Sequence, residues 1–182
     1  KQRKTFTMGL VVPNLREDFF SPAINGIEEV ALDHQYIVLI GQSHDDLERE
    51  QKLLETMKNH RVDGILASIS KNTTHIDHFE QMKNYDIPVV FFDRVPDAKD
   101  IHSVSCNLYD STVEAVEWLV KKGHKRIGYI QGPPTLGMKD ERMNGYKDAH
   151  KKNKLPVDES LIASTDLSAD STHDALDGLM QQ

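Results

Sequence analysis

The sequence predicts an α/β protein built on parallel sheets. Two observations carry that expectation. Strand-sized apolar runs alternate with amphipathic helical stretches along the whole chain, and one opening pattern, an apolar strand with glycine near its start running into proline, occurs twice, as "MGLVVPN" and "IGYIQGPP". Strands separated by helical stretches form βαβ units, whose sheets are covered on both faces.

Each element has a local reason. "FTMGLVVP" (6–13) is continuously apolar and ends on proline, as a strand buried on both faces does. "SPAINGIEEVALDH" (21–34) sets Ile24, Ile27, Val30 and Ala31 at helical spacing, with Ser21 and Pro22 as N-cap and first helical residue. "YIVLIGQ" (36–42) is a strand, and "DDLEREQKLLETMKNH" (45–60) is a helix with Leu47, Leu54 and Met57 on one stripe. Its leading acids suit the positive end of the helix dipole. "VDGILASI" then reads as strand, "THIDHFEQMKNY" as helix, and "IPVVFFDR" and "SVSCN" as strands. "DSTVEAVEWLVKKG" is a helix whose Ser/Thr-rich start suits an N-cap and which is closed by Gly123 in the C′ position. "RIGYIQG" (strand), "MKDERMNGYKDAHKKN" (helix), "LIASTD" (strand) and "STHDALDGLMQQ" (helix) complete the series. "DRVPDAKDIHSVSCNLYD" has the proline and aspartates of a crossing segment, so the chain divides into 6–106 and 107–182.

Composition narrows the function. At 38% hydrophobic and 28% charged the chain reads as globular, and its apolar runs, such as "IPVVFF", are too short to span a bilayer. A lone Cys106 excludes an internal disulfide and fits a reducing compartment. A net charge of −7 makes these residues a poor platform for nucleic acid, which needs clustered cations to displace counterions.

Several chemistries lack their residues. No glycine-rich phosphate loop follows any strand, and the prolines of "GYIQGPP" remove N–H groups that a phosphate nest needs. Among the nine histidines, His75 and His78 could share a helical face, but no third ligand lies nearby, so no metal is expected. No nucleophile elbow surrounds Cys106 or the serines, and neither a catalytic residue nor a cofactor is expected. The cluster Lys121, Lys122, His124, Lys125 and Arg126 reads as a cationic helix end followed by a solvated turn.

The residues that remain sit after strands, where open parallel sheets bind ligands. After the first strand come Asn14, Arg16, Glu17, Asp18, Phe19 and Phe20. An aromatic ring there can stack on the apolar face of a sugar or base while polar neighbours bond its hydroxyls, and one of the two rings is expected to plug the core instead. Asp93 and Arg94 set an acceptor beside a fork of donors, suited to a ring of hydroxyls or to an internal ion pair. In the second half, Arg142 is either a ligand contact or the partner of Asp140 or Glu141.

Taken together, "FTMGLVVPNLREDFFSPAINGIEEVA", "HDDLEREQKLLETMKNHRVDGIL", "IPVVFFDR", "GHKRIGYIQGPP" and "ERMNGYKDAHKKNKLP" resemble the effector-binding core of the lactose-repressor family of bacterial transcription regulators. The resemblance runs from about Thr5 to the last residue. It implies two Rossmann-like subdomains of the periplasmic-binding-protein type that close on a small molecule, a sugar or sugar-like effector. By it, Phe19 and Phe20 match aromatics lining the ligand cleft, Asp93 and Arg94 match an Asp-Arg pair that holds hydroxyls, and Arg142 matches an arginine reaching the effector from the second subdomain. The family's Asn-Pro ahead of the aromatics is Glu17-Asp18 here, and its Asp-Asn at the crossover is Cys106-Asn107. Glu17, Asn14 and Asn107 complete the expected effector set.

The resemblance also implies a homodimer in the cytoplasm, with DNA bound through a helix-turn-helix head that precedes residues 1–5, and no membrane partner. It further implies that the second subdomain is incomplete in this chain. Two other functions fit the same fold: a periplasmic sugar-binding protein that serves a transporter, and a small α/β enzyme.

Overall fold

A computed structural model describes residues 4–16, 18–132 and 141–182. Two compact units divide them, 4–105 and 106–132 with 141–182. In the first unit the order is β1 (Thr7–Val12), α1 (Phe20–Asp33), β2 (Ile37–Gln42), α2 (Leu47–Asn59), β3 (Gly64–Ala67), α3 (Asp77–Glu80), β4 (Val89–Phe92) and β5 (His102–Val104). The strands form one sheet in the order β2-β1-β3-β4-β5, every neighbouring pair parallel. Because β2 and β3 flank β1 on opposite sides, the strand order reverses beside β1, and the carboxyl ends there frame the crevice in which such sheets bind ligands.

The continuous apolar run of β1 follows from this position. Leu10 and Val12 face one side and pack with Phe20 and Ile24 of α1, joined by Val38, Ile40, Leu66 and Phe92. Val11 faces the other side, in a larger core with Leu54 and Met57 of α2, Phe79 of α3, and Ile65 and Phe91 of the sheet. A strand covered on both faces has no polar side to show.

Three local expectations shift. Helix α1 begins at Phe20, with Phe19 in the N-cap position and no side-chain cap, so Ser21 does not cap it. Pro22 falls in the first turn, where its missing N–H has no helical acceptor to lose. The helix expected over "THIDHFEQMKNY" is a single α-turn, Asp77–Glu80, followed by 3-10 turns at Gln81–Tyr85. Tightening to three residues per turn brings side chains three apart into line, and Phe79 and Met82 both enter the α2 core. Asp86, at φ +56°, closes the segment.

In the second unit, α4 (Leu108–Lys121) is capped by Asn107 rather than by its serine or threonine: the Asn107 side chain accepts the Asp110 N–H at 3.0 Å. Gly123, at φ +94°, takes the C′ position, and its N–H and that of His124 bond back to Val120 and Leu119, a Schellman closure. Strands β6 (Tyr129–Gln131) and β7 (Ile162–Ser164) pair in parallel, with α5 (Glu141–Lys152) before β7 and α6 (Ala169–Met180) after it. Helices α4 and α5 pack around Val116, Ile127, Met143, Tyr146 and Ala149, and the buried Tyr146 hydroxyl donates to the Ile127 carbonyl at 2.7 Å.

Gly145 permits that packing. A Cβ built there lies 2.6 Å from the Tyr109 carbonyl oxygen and 3.1 Å from Thr112 Cβ. Helix propensity alone favours alanine by about 1 kcal/mol. Because the obstacle is backbone, the expected result of Gly145→Ala is instead a net loss of about 1–3 kcal/mol, read as a lowered denaturation midpoint.

The residues leading into β1 are tied to the opposite, amino edge of the sheet. Asp63 accepts the N–H groups of Thr5 and Phe6 at 2.9 and 3.0 Å, and the Thr5 hydroxyl reaches the Arg61 carbonyl at 2.7 Å. Desolvation raises the Asp63 carboxyl, but the bonds it accepts from the Thr5 and Phe6 N–H groups and from the Thr5 and Tyr36 hydroxyls together outweigh it and hold the group below its ordinary 3.8. A depressed folded-state pKa contributes stability that is present above the unfolded value and lost as pH falls through the folded one. Asp63→Asn should therefore lower the thermal midpoint at neutral pH, and the gap from wild type should close as the pH drops below about 4.

Candidate functional site

The carboxyl edge of the first sheet gathers the loops that follow β1, β2, β3 and β4. The loop after β1 is pinned to the end of β2: the Leu15 N–H donates to the Gln42 side chain at 3.0 Å, and the His44 N–H to the Pro13 carbonyl at 2.8 Å. Asn14 is half-buried and uses its side-chain oxygen internally, accepting the Arg16 N–H at 3.0 Å. Glu17 lies outside the described residues.

The two phenylalanines separate. Phe19 is 48% exposed and Phe20 fully buried, their rings edge-on with centroids 5.4 Å apart. Phe20 in turn meets Phe92 edge-on at 6.2 Å. Phe20, named as an effector contact from the sequence, is thus the core plug, because the first turn of α1 turns it onto the sheet. Phe19 is left as the accessible ring, braced from behind.

Asp93 and Arg94 follow β4. Asp93 takes the left-handed conformation at φ +57°, and Arg94 is largely buried. The internal ion pair offered as the alternative forms for Arg94. Arg94 donates to Asp45, which follows β2, with Nη1 2.7 Å from Oδ1. The Ser68 hydroxyl, after β3, makes long contacts with both residues, 3.3 Å to Asp93 Oδ2 and 3.4 Å from the Arg94 N–H.

Beneath these side chains lies a buried carboxylate. Glu50, in the first turn of α2, has no exposed surface. It accepts the Ser70 N–H at 2.7 Å, the Thr73 hydroxyl at 2.6 Å and His78 Nε2–H at 2.9 Å. These bonds fix the loop after β3 against α2 and α3. Sequence reading passed over Asp45, Glu50, Ser68, Ser70 and Thr73. Glu50 left a signal: it stands on the apolar stripe of its helix, between Leu47 and Leu54.

The remaining two expected residues belong to the second unit. Asn107 is exposed and spends its side chain on capping α4. Arg142 is exposed on the first turn of α5. No group of three or more metal-ligating side chains occurs among the described residues, and none of their helices is long and apolar enough to cross a membrane.

Residues 5–182 match the family described as periplasmic binding proteins and sugar binding domain of LacI family. The chain belongs to this family. Among its relatives, catabolite control protein A of Priestia megaterium is 30% identical over 181 residues, which is 99% of this chain and 54% of that protein. The chain therefore spans about half the length of the curated relatives it matches. The transcription regulator CcpA of Lactococcus lactis superposes with a TM-score of 0.84 at 27% identity, covering 98% of this chain and 65% of that one. A family structure from Alkaliphilus metalliredigens, complexed with D-xylulofuranose, gives a TM-score of 0.77 at 27% identity, over 97% of this chain and 71% of that one. The α/β fold of LacI-family regulators is thus the fold of this chain.

The geometry separates the two aromatics by stability. Phe20→Ala should cost about 3–5 kcal/mol, as for other fully buried rings. Phe19→Ala should stay within about 0.5 kcal/mol of wild type. Chemical denaturation of the two variants side by side reads the difference.

Proposed function

We propose that this chain is the effector-sensing part of a DNA-binding transcriptional regulator and that its effector is a neutral polyhydroxylated molecule, a sugar or close analogue. The observation that carries the reading is the placement of Asp93 and Arg94, an acceptor and a donor fork side by side at the carboxyl end of β4. A carboxylate takes hydroxyl hydrogens and a guanidinium gives two N–H groups to ring or hydroxyl oxygens, so adjacent sugar hydroxyls can be bonded from one wall. Phe19 supplies an apolar face for the C–H side of the ring. The D-xylulofuranose bound by the Alkaliphilus relative supports the ligand class.

The regulatory part of the reading follows from linkage. An effector that binds one conformation better than another shifts the population toward it, and any effect on operator affinity is returned as an equal effect on effector affinity. The acidic charge of these residues fits DNA contacts made by a helix-turn-helix head elsewhere in the protein, acting as a homodimer in the cytoplasm.

Isothermal titration of the full-length protein tests this reading. Titrants are D-ribose, D-glucose, D-xylulose and cellobiose, with purine nucleosides and sugar phosphates alongside. At least one neutral sugar should bind, and Asp93→Ala should weaken it by about 10–100-fold, the loss of a hydrogen bond to a charged group. A folded protein that binds no sugar, or whose sugar affinity is untouched by both Asp93→Ala and Arg94→Ala, overturns it. Arg142→Ala and Asn107→Ala, titrated in parallel, report whether the second unit takes part.

A further inference from the structure

The chain enters the first sheet through a corner, and one carboxylate holds that corner. Asp63 accepts the Thr5 N–H at 2.9 Å, the Phe6 N–H at 3.0 Å and the Tyr36 hydroxyl. The Thr5 hydroxyl lies 3.1 Å from the same carboxylate and 2.7 Å from the Arg61 carbonyl. Thr5 and Phe6 lead into β1, Tyr36 precedes β2 and Asp63 precedes β3, so the amino ends of three adjacent strands are gathered on a single side chain. Backbone bonds fix the corner from both flanks: the Ile37 N–H donates to the Phe6 carbonyl at 2.9 Å, and the Asp63 N–H to the Thr7 carbonyl at 2.8 Å.

The corner is strained. Phe6 lies in the left-handed region, at φ +52°, with its ring 46% exposed and 5.4 Å from the Tyr36 ring. A bulky residue rarely occupies that region, and the conformation persists where surrounding contacts over-determine it. Extended residues would lead into a parallel strand without this cost. What the corner adds is a fixed direction for the backbone ahead of β1.

We propose that Asp63 is the positioning residue for the segment ahead of β1, fixing the direction in which that segment leaves the sheet and, through it, the orientation of the DNA-binding head. The proposal rests on the reading of the protein as a homodimeric regulator whose head precedes residues 1–5. Asp63 needs no contact with DNA, because it acts by removing freedom. Each backbone residue that must be ordered when DNA binds takes about tenfold from the affinity. A residue ordered beforehand takes nothing further. A dimer that reads two half-sites also depends on the distance between its heads, so a fixed exit makes half-site spacing part of what is recognised.

The experiment uses full-length protein and an operator that the wild type selects from a pool of random duplexes. Affinity for this operator is compared with affinity for the same sequence lengthened by a few base pairs between its half-sites. The ratio of the two should fall by about tenfold in Asp63→Asn, because heads released from the corner reach the lengthened site as well. A loss of folded protein lowers both affinities alike and leaves the ratio where it was, so the lower thermal midpoint expected of this variant does not enter the result. Thr5→Val keeps the Thr5 N–H but removes the hydroxyl from Asp63 and Arg61, and it should move the ratio in the same direction by a smaller factor. Amide exchange locates the change: Thr5 and Phe6 should exchange faster in Asp63→Asn while Leu10 and Val11 of β1 stay protected.

A ratio unchanged in both variants overturns the proposal and leaves Asp63 with a role in stability alone. An operator with a single half-site overturns it as well. If the wild type selects no operator from the pool, the functional reading itself fails, and the positioning role falls with it.

Discussion

A carboxylate sealed from water organises the ligand-facing edge of the first sheet. Burying Glu50 costs several kcal/mol unless donors replace the lost hydration. Three do: the Ser70 N–H, the Thr73 hydroxyl and His78 Nε2–H. Because those donors come from the loop after β3 and from α3, satisfying one charge fixes both segments against α2. The loop so fixed then gives Lys71 N–H and Asn72 to Asp45, and Asp45 holds Arg94. The candidate contact residue is thus the outermost member of a polar chain whose anchor is inside the core.

That chain stands on the alternation of apolar faces. With α1 on one side of the sheet and α2 and α3 on the other, β1 is buried on both faces and every loop at its carboxyl end opens toward the same edge. The Phe19–Phe20–Phe92 series couples the loop after β1 to the end of β4 through edge-on ring contacts. Aromatic and polar parts of the candidate site therefore share a scaffold. A change in Phe20 is expected to act on Phe19 and Phe92 through packing, whatever its effect on a ligand.

The order of strands and helices was legible because period and composition report burial directly. The apolar run at 6–13, the stripe of Leu47, Leu54 and Met57, and Gly123 past the end of α4 each encode a local preference that tertiary structure had no reason to override. Helix starts were less legible. Ser21 and the serine and threonine at 111–112 look like caps, yet Phe19 and Asn107 occupy those positions, since the approach of the chain to the sheet sets where the first turn begins. The helix expected over residues 74–85 yielded to tighter turns once Phe79 and Met82 had to reach one core.

By itself the sequence determined the α/β class, the parallel order and the placement of Asp93, Arg94 and Phe19 after strands, since periodicity and strand ends are local properties. Tertiary structure alone decided which phenylalanine is accessible, and which partner the Arg94 guanidinium takes. Both outcomes depend on groups far apart in the chain: Phe20 is buried by Phe92, and Arg94 is held by Asp45 across 49 positions. No local pattern records such pairings, because what selects them is that apolar rings be covered and every buried charge find a partner once the strands have packed.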